Sequence, residues 1–212
     1  MVQQAKEGHT AAMLWPGQMG FVNKKVTIRK HKNVKLDGQN ILSFEVINPL
    51  PVSFDEGIVD IAAFTKNTET KVYKQLLDNL QPDVIHIHTL MGIHKSFFET
   101  AKEKKIRLVF TAHDFFPICP KVTMFRHGRI CDSVQSCEGC GVCNATALSL
   151  NKIKVLQSPL YRVLKDSPMV KKLRKHHRDS YLSEATVNDL TNAVGTIGDY
   201  KELRNYYYSV LK

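Results

Sequence analysis

The sequence predicts an α/β protein: a parallel sheet with flanking helices. Three observations carry this. Short β-rich runs alternate along the chain with longer segments of helical periodicity. Residues 84–111 read as strand, helix and strand in close succession, the signature of a right-handed crossover between parallel strands. Apolar residues make up 43% and charged residues 24% of the 212, a globular balance that excludes disorder as the default and leaves room for one sizeable domain.

The elements follow in order. Residues 2–6 read as the tail of a helix closed by Gly8. Residues 11–15 form a short buried strand that Pro16-Gly17 stops. Residues 26–31 alternate apolar and basic side chains, as an edge strand does. Residues 41–47 are a further β-rich run, ended by Asn48-Pro49. Residues 68–80 place Val72, Leu76, Leu77 and Leu80 on one helical face, and Gln81-Pro82 breaks that helix. A strand over 84–88 comes next, then a helix marked by Ile93, Phe97 and Ala101, then a strand over 107–111. Basic residues at 102–105 suit the carboxyl end of that helix. Residues 114–144 show neither period, and a structureless stretch of that length needs an anchor or a function. Helices are expected over 145–156 and 161–177, with Pro159 and Pro168 as interruptions. A last strand covers 193–197 and a last helix 200–211.

Charge and composition narrow the function. No apolar run reaches the roughly 20 residues of a membrane-spanning helix. The polar segment 1–10 is no secretory signal, so a soluble, cytoplasmic protein is expected. Thirty Lys and Arg against twenty Asp and Glu give +10, which favours anionic partners such as nucleic acid, an anionic membrane surface or phosphorylated small molecules. The densest positive run, residues 171–178, together with Leu164, Val170 and Leu173, suits an anionic bilayer or nucleic-acid phosphates. A solvated helix face is the plainer reading. Tyr206-Tyr207-Tyr208 is expected to pack the last helix rather than stack bases. Phosphate-cradling glycine motifs are missing.

In open parallel sheets, ligands bind beyond the carboxyl ends of the strands. Here one strand ends in His86-Ile87-His88-Thr89 and its crossover partner in Thr111-Ala112-His113-Asp114. His88 and His113 are therefore expected to share a crevice, and imidazoles can donate, accept or switch near neutral pH. His86 and His88 point to one face and could chelate, but no third ligand is evident. All five cysteines lie between Cys119 and Cys143. Cys119, Cys131, Cys137 and Cys140 would make a closed, structural Zn²⁺ site pinning the loop, with Cys143 as spare. Iron–sulfur ligation and free thiols or a disulfide stand beside it.

Taken together, these motifs resemble family 4 glycosyltransferases. Lys6-Glu7-Gly8-His9 through Leu14-Trp15-Pro16-Gly17 is similar to a region near that family's start. Pro82-Asp83-Val84-Ile85-His86-Ile87-His88 resembles its "PDVIHxH" strand. Thr111-Ala112-His113-Asp114, Cys119-Pro120 and the later cysteines resemble a variant "HD … CP … C … CxxC" block. Residues 195–200 resemble the strand before the last helix of the family's first domain. The resemblance covers nearly the whole of residues 1–212. It implies one Rossmann-like half of a GT-B enzyme, the amino-terminal acceptor-side domain, with residues 114–144 as its Cys-rich loop. Against the family, the first strand with its Gly-rich loop and the donor-binding domain are missing, and no two glutamates lie eight positions apart.

The implied activity is transfer of a sugar, with retention, from a nucleotide-sugar donor to a glycan or lipid-linked acceptor, in polysaccharide synthesis. No cofactor is required for catalysis. His113 and Asp114 are the implied catalytic residues, and His88, Thr89 and Gly17 the substrate-binding ones. The implied partners are the donor, the acceptor and a separate donor-domain chain, with peripheral contact at the inner face of the membrane. Two rival readings are an inactive remnant of such an enzyme and a Zn-stabilised nucleic-acid-binding module.

Overall fold

A computed structural model describes residues 1–54, 56–116, 118–126, 129–132, 135–184 and 193–212, without the side chains of Arg126 and of 177–184. The chain opens with α1 (Val2–Lys6) and enters β1 (Ala12–Pro16). Next come β2 (Thr27–Lys30), β3 (Val34–Leu36) and β4 (Gln39–Ile47). Asp37 and Gly38 both have positive φ, 49° and 79°, and Leu36 pairs with Gln39. This is a two-residue hairpin of the type whose twist matches the flanking strands. It adds a strand the periodicity did not disclose.

β4 is the hub of this sheet. β1 pairs with it in parallel, and β2 and β3 pair with it antiparallel. With β1 and β2 on its two sides, β4 buries Ile41, Ser43, Phe44, Glu45 and Val46 in near-continuous succession. Residues on both of its faces are thus covered, as in a central strand.

After α2 (Ile61–Phe64), the helix α3 (Thr70–Leu80) buries Tyr73, Leu76 and Leu77. Gln81 closes it in the left-handed region. β5 (Val84–Ile87), α4 (Lys95–Glu103) and β6 (Arg107–Phe110) then form the expected βαβ unit, with β5 and β6 in parallel register. α4 buries Phe97, Phe98 and Ala101 against α3 and α9.

The long loop carries a small hairpin, β7 (Phe125–Arg126) and β8 (Arg129–Ile130), and a single helical turn, α5 (Cys140–Cys143). The chain ends in α6 (Leu150–Leu156), α7 (Pro159–Leu164), α8 (Pro168–Glu184) and α9 (Ile197–Leu211). α9 inserts Tyr200, Leu203, Tyr207 and Val210 into the core. The hydroxyls of Tyr200 and Tyr207 donate to the carbonyls of Ile58 and Phe64, at 3.0 and 2.9 Å.

Three expectations about single elements are corrected. The architecture as a whole is mixed α/β, with parallel and antiparallel strands and flanking helices. Among the described residues, no ladder joins the β1–β4 sheet to the β5–β6 pair, and the Asp37-Gly38 turn folds β3 back antiparallel. Residues 193–197 are not a strand: Thr196 caps α9, its Oγ1 accepting from the Asp199 N–H while Asp199 accepts from the Thr196 N–H. The helix expected over 145–156 begins only at Leu150, after Ser149. Pro159 and Pro168 open helices instead of interrupting one, since proline suits the first helical turn.

Candidate functional site

The register of β5 and β6 decides where their histidines point. His86 pairs with Val109 and Ile87 with Phe110, and the Thr111 N–H donates to the Ile87 carbonyl. Side chains alternate along a strand, so His86, His88, Thr111 and His113 share one face. Ile85, Ile87, Leu108 and Phe110 take the other, against the core. The side chains meet as the register requires. His88 Nδ1 lies 2.8 Å from His113 Nε2, and His86 Nε2 lies 2.8 Å from Thr111 Oγ1. The His86 and His88 rings stand 4.1 Å apart, and the His88 and His113 rings stack at 5.1 Å.

All three imidazoles are exposed. Desolvation, then the neighbouring His86 and His113 rings and the chain's amino terminus, hold His88 below the usual imidazole range. A neutral imidazole offers one donor and one acceptor, so the cluster can bond hydroxyl or phosphate oxygens. The two other expected residues of these strand ends do local work. Thr89 Oγ1 accepts from the Met91 N–H at 3.1 Å, and Asp114 Oδ1 accepts from the Phe116 N–H at 2.8 Å. Both shape the turns that follow the strands. His86 and Thr111 are additions to the set expected from sequence, and the register is what brings them in.

Gly17 lies elsewhere, at the carboxyl end of β1, in an open cleft of about 220 Å³ lined by Trp15, Gln18, Gln157, Tyr161 and Arg162. Its floor is Glu45, which the sequence reading did not single out. Glu45 is fully buried, yet its carboxylate is well partnered. It accepts from the Gln18 N–H at 3.2 Å and from Arg162 Nη1 at 3.1 Å. His31 Nε2 lies 2.6 Å and Arg29 Nη1 3.6 Å away. A buried carboxylate needs such pairing. A Cβ on Gly17 would stand 2.1 Å from Glu45 Cγ, so glycine there is a packing requirement. The available signal was a lone Glu inside the apolar run Ile41 to Ile47.

The cysteines converge from three stretches of the loop. A cavity of about 20 Å³, room for one water-sized occupant, is lined by Cys119, Cys131, Cys140, Cys143 and Arg204. Cys137 is buried, and its carbonyl accepts from the Cys140 N–H. Burial first, then the neighbouring Cys137 thiol, pushes Cys140 up to about 12. None of the five is bridged. Among the described residues, no three His, Cys, Asp or Glu side chains are placed so as to hold a metal ion. No helix of the described residues is long and apolar enough to cross a membrane.

No family model matches the chain, and no solved structure matches it. It is 28% identical over 58 residues to an uncharacterized 42.6 kDa protein in the cps region of Klebsiella pneumoniae. That stretch is 27% of this chain and 16% of the Klebsiella protein. The likeness links part of the chain to a protein of a capsule-polysaccharide gene region.

Proposed function

We propose that this chain is the acceptor-side domain of a retaining glycosyltransferase, which passes a sugar from a nucleotide-sugar donor to a glycan or lipid-linked acceptor. The observation that carries the reading is the contact between His88 and His113. Two exposed imidazoles meet at the carboxyl ends of paired parallel strands, the end of an α/β sheet at which ligands bind. The partial likeness to a protein of a polysaccharide gene region supports the biosynthetic setting.

In this reading His113 holds the transferred sugar. His88, 2.8 Å from His113, orients its ring. The cleft beside Gly17 receives the acceptor. Positioning, together with electrostatic stabilisation of the departing diphosphate, supplies the rate, and a separate donor-binding domain brings the nucleotide.

The test is sugar transfer to a lipid-linked acceptor, read as release of the nucleoside diphosphate, by the chain together with its donor-binding partner. His113→Ala is expected to lower turnover by about 10²-fold or more, the scale of a lost positioned imidazole. His88→Gln is expected to act in the same direction with a smaller effect. Undiminished turnover in His113→Ala, with the variant folded, overturns the assignment.

A further inference from the structure

The segment from α6 to α8 joins a run of positive charge to exposed apolar side chains. Between residues 151 and 176 it carries eight Lys and Arg against the single acid Asp166. The same segment leaves large apolar side chains in water: Leu160 is 65% exposed, Val163 80%, Met169 71% and Leu173 60%. Their spacing is helical. Leu160, Val163 and Leu164 fall on one side of α7, and Met169 and Leu173 lie one turn apart on α8.

The fold aims this stripe outward. Ser158 is buried and caps α7, its Oγ accepting from the Tyr161 N–H at 3.1 Å. Arg162, on the side of α7 opposite Leu160, reaches the buried Glu45 carboxylate at 3.1 Å. That ion pair fixes the rotation of the short helix and turns Leu160, Val163 and Leu164 away from the body. Lys165 stands between the helices, and Lys172 and Arg174 flank the Met169–Leu173 side of α8; all three are exposed. The further basic positions His177 and Arg178 lie outside the described side chains.

We propose that α7 and α8 dock this face on an anionic lipid bilayer. The charge pattern chooses the occupant. A second copy would set Lys165, Lys171, Lys172, Arg174 and Lys175 against the same cations. Nucleic acid would meet the Lys and Arg but leave five apolar side chains in water. An anionic membrane answers both features: apolar side chains enter the acyl boundary while Lys and Arg meet the headgroups. The inference uses no property of the histidine crevice and stands or falls apart from sugar transfer.

The experiment is co-sedimentation of the full chain with vesicles of phosphatidylcholine, with and without 30 mol% phosphatidylglycerol (about one lipid in three, to raise the surface potential). Binding is expected to the mixed vesicles and to weaken with salt. Each Lys or Arg removed is expected to weaken it about fivefold, so Lys172→Gln with Arg174→Gln should cost about 25-fold. Leu160→Glu with Val163→Glu, at solvent-facing positions, should abolish sedimentation without changing the melting temperature. Lys71→Gln with Lys74→Gln, on α3, serves as the control and should retain binding. Equal binding to pure phosphatidylcholine, full binding by the Leu160/Val163 variant, or equal loss in the α3 control would each overturn the proposal. So would failure of the unaltered chain to bind, or binding to an acidic protein in preference to the mixed vesicles.

Discussion

His94 is 3% exposed at the start of α4, with its Nδ1 2.8 Å from the Tyr73 hydroxyl. Burial, and then the nearby Lys66 cation, lower its pKa to about 4. The unfolded chain takes up the same proton near the ordinary value of 6.5. Above both values the two states bind protons equally. Stability therefore falls as pH drops from about 6.5 towards 4, and the loss between pH 7 and pH 5 should be about 2 kcal/mol. Urea denaturation at both pH values, compared with His94→Gln, checks this; an equal slope in the variant would refute it. Tyr73→Phe removes a buried hydroxyl from Nδ1 and should cost about 1–3 kcal/mol at pH 7. The pairing of His88 with His113 was legible from sequence, because strand ends and a crossover are local patterns. The pairing of Tyr73 with His94 was not, since it depends on how α3 packs against the start of α4.

At the scale of elements, the termini show where periodicity loses to local hydrogen bonding. Residues 193–197 have the apolar content of a strand, yet Thr196 and Asp199 close a reciprocal cap that starts α9. The spacing of Thr196 and Asp199 is itself a helix-start signal, and it outweighs the short apolar run. Thr196→Ala should cost about 1 kcal/mol in urea denaturation, while Thr196→Ser should retain most of the stability. A loss shared by both substitutions would place the effect in packing instead of the cap. The Asp37-Gly38 hairpin teaches the same lesson, for a two-residue turn specifies an antiparallel strand of three residues, too short for alternation to reveal. The βαβ unit, by contrast, was readable throughout, because α3, β5, α4 and β6 each show their period over a bounded run.

At the scale of the molecule, α9 holds the Cys-rich loop to the body: Arg204 Nε donates to the Ile118 carbonyl at 3.2 Å and also lines the thiol cavity. Burial of Cys140 among other thiols opposes charge on its sulfur, and a cation would reverse that balance by favouring thiolates. A structural Zn²⁺ would require the thiols lining the cavity to turn onto one point. Elemental analysis of protein purified without chelator should then give about one zinc per chain, as a single four-thiolate site holds; a ratio near zero removes the metal from the reading. Clustering of the five cysteines was plain in the sequence. Which of them line one cavity was not, because that depends on how an aperiodic loop folds against α9, whose Arg204 lies 86 positions beyond Ile118. The sequence alone determined the α/β class, the crossover unit and the meeting of the strand-end histidines, since each rests on short-range periodicity and on the alternation of side chains along a strand. Only the tertiary structure decided the mixed sheet around β4, the buried Glu45 under Gly17 and the outward turn of the α7 stripe, since these arise where distant segments compete for one buried charge and one core.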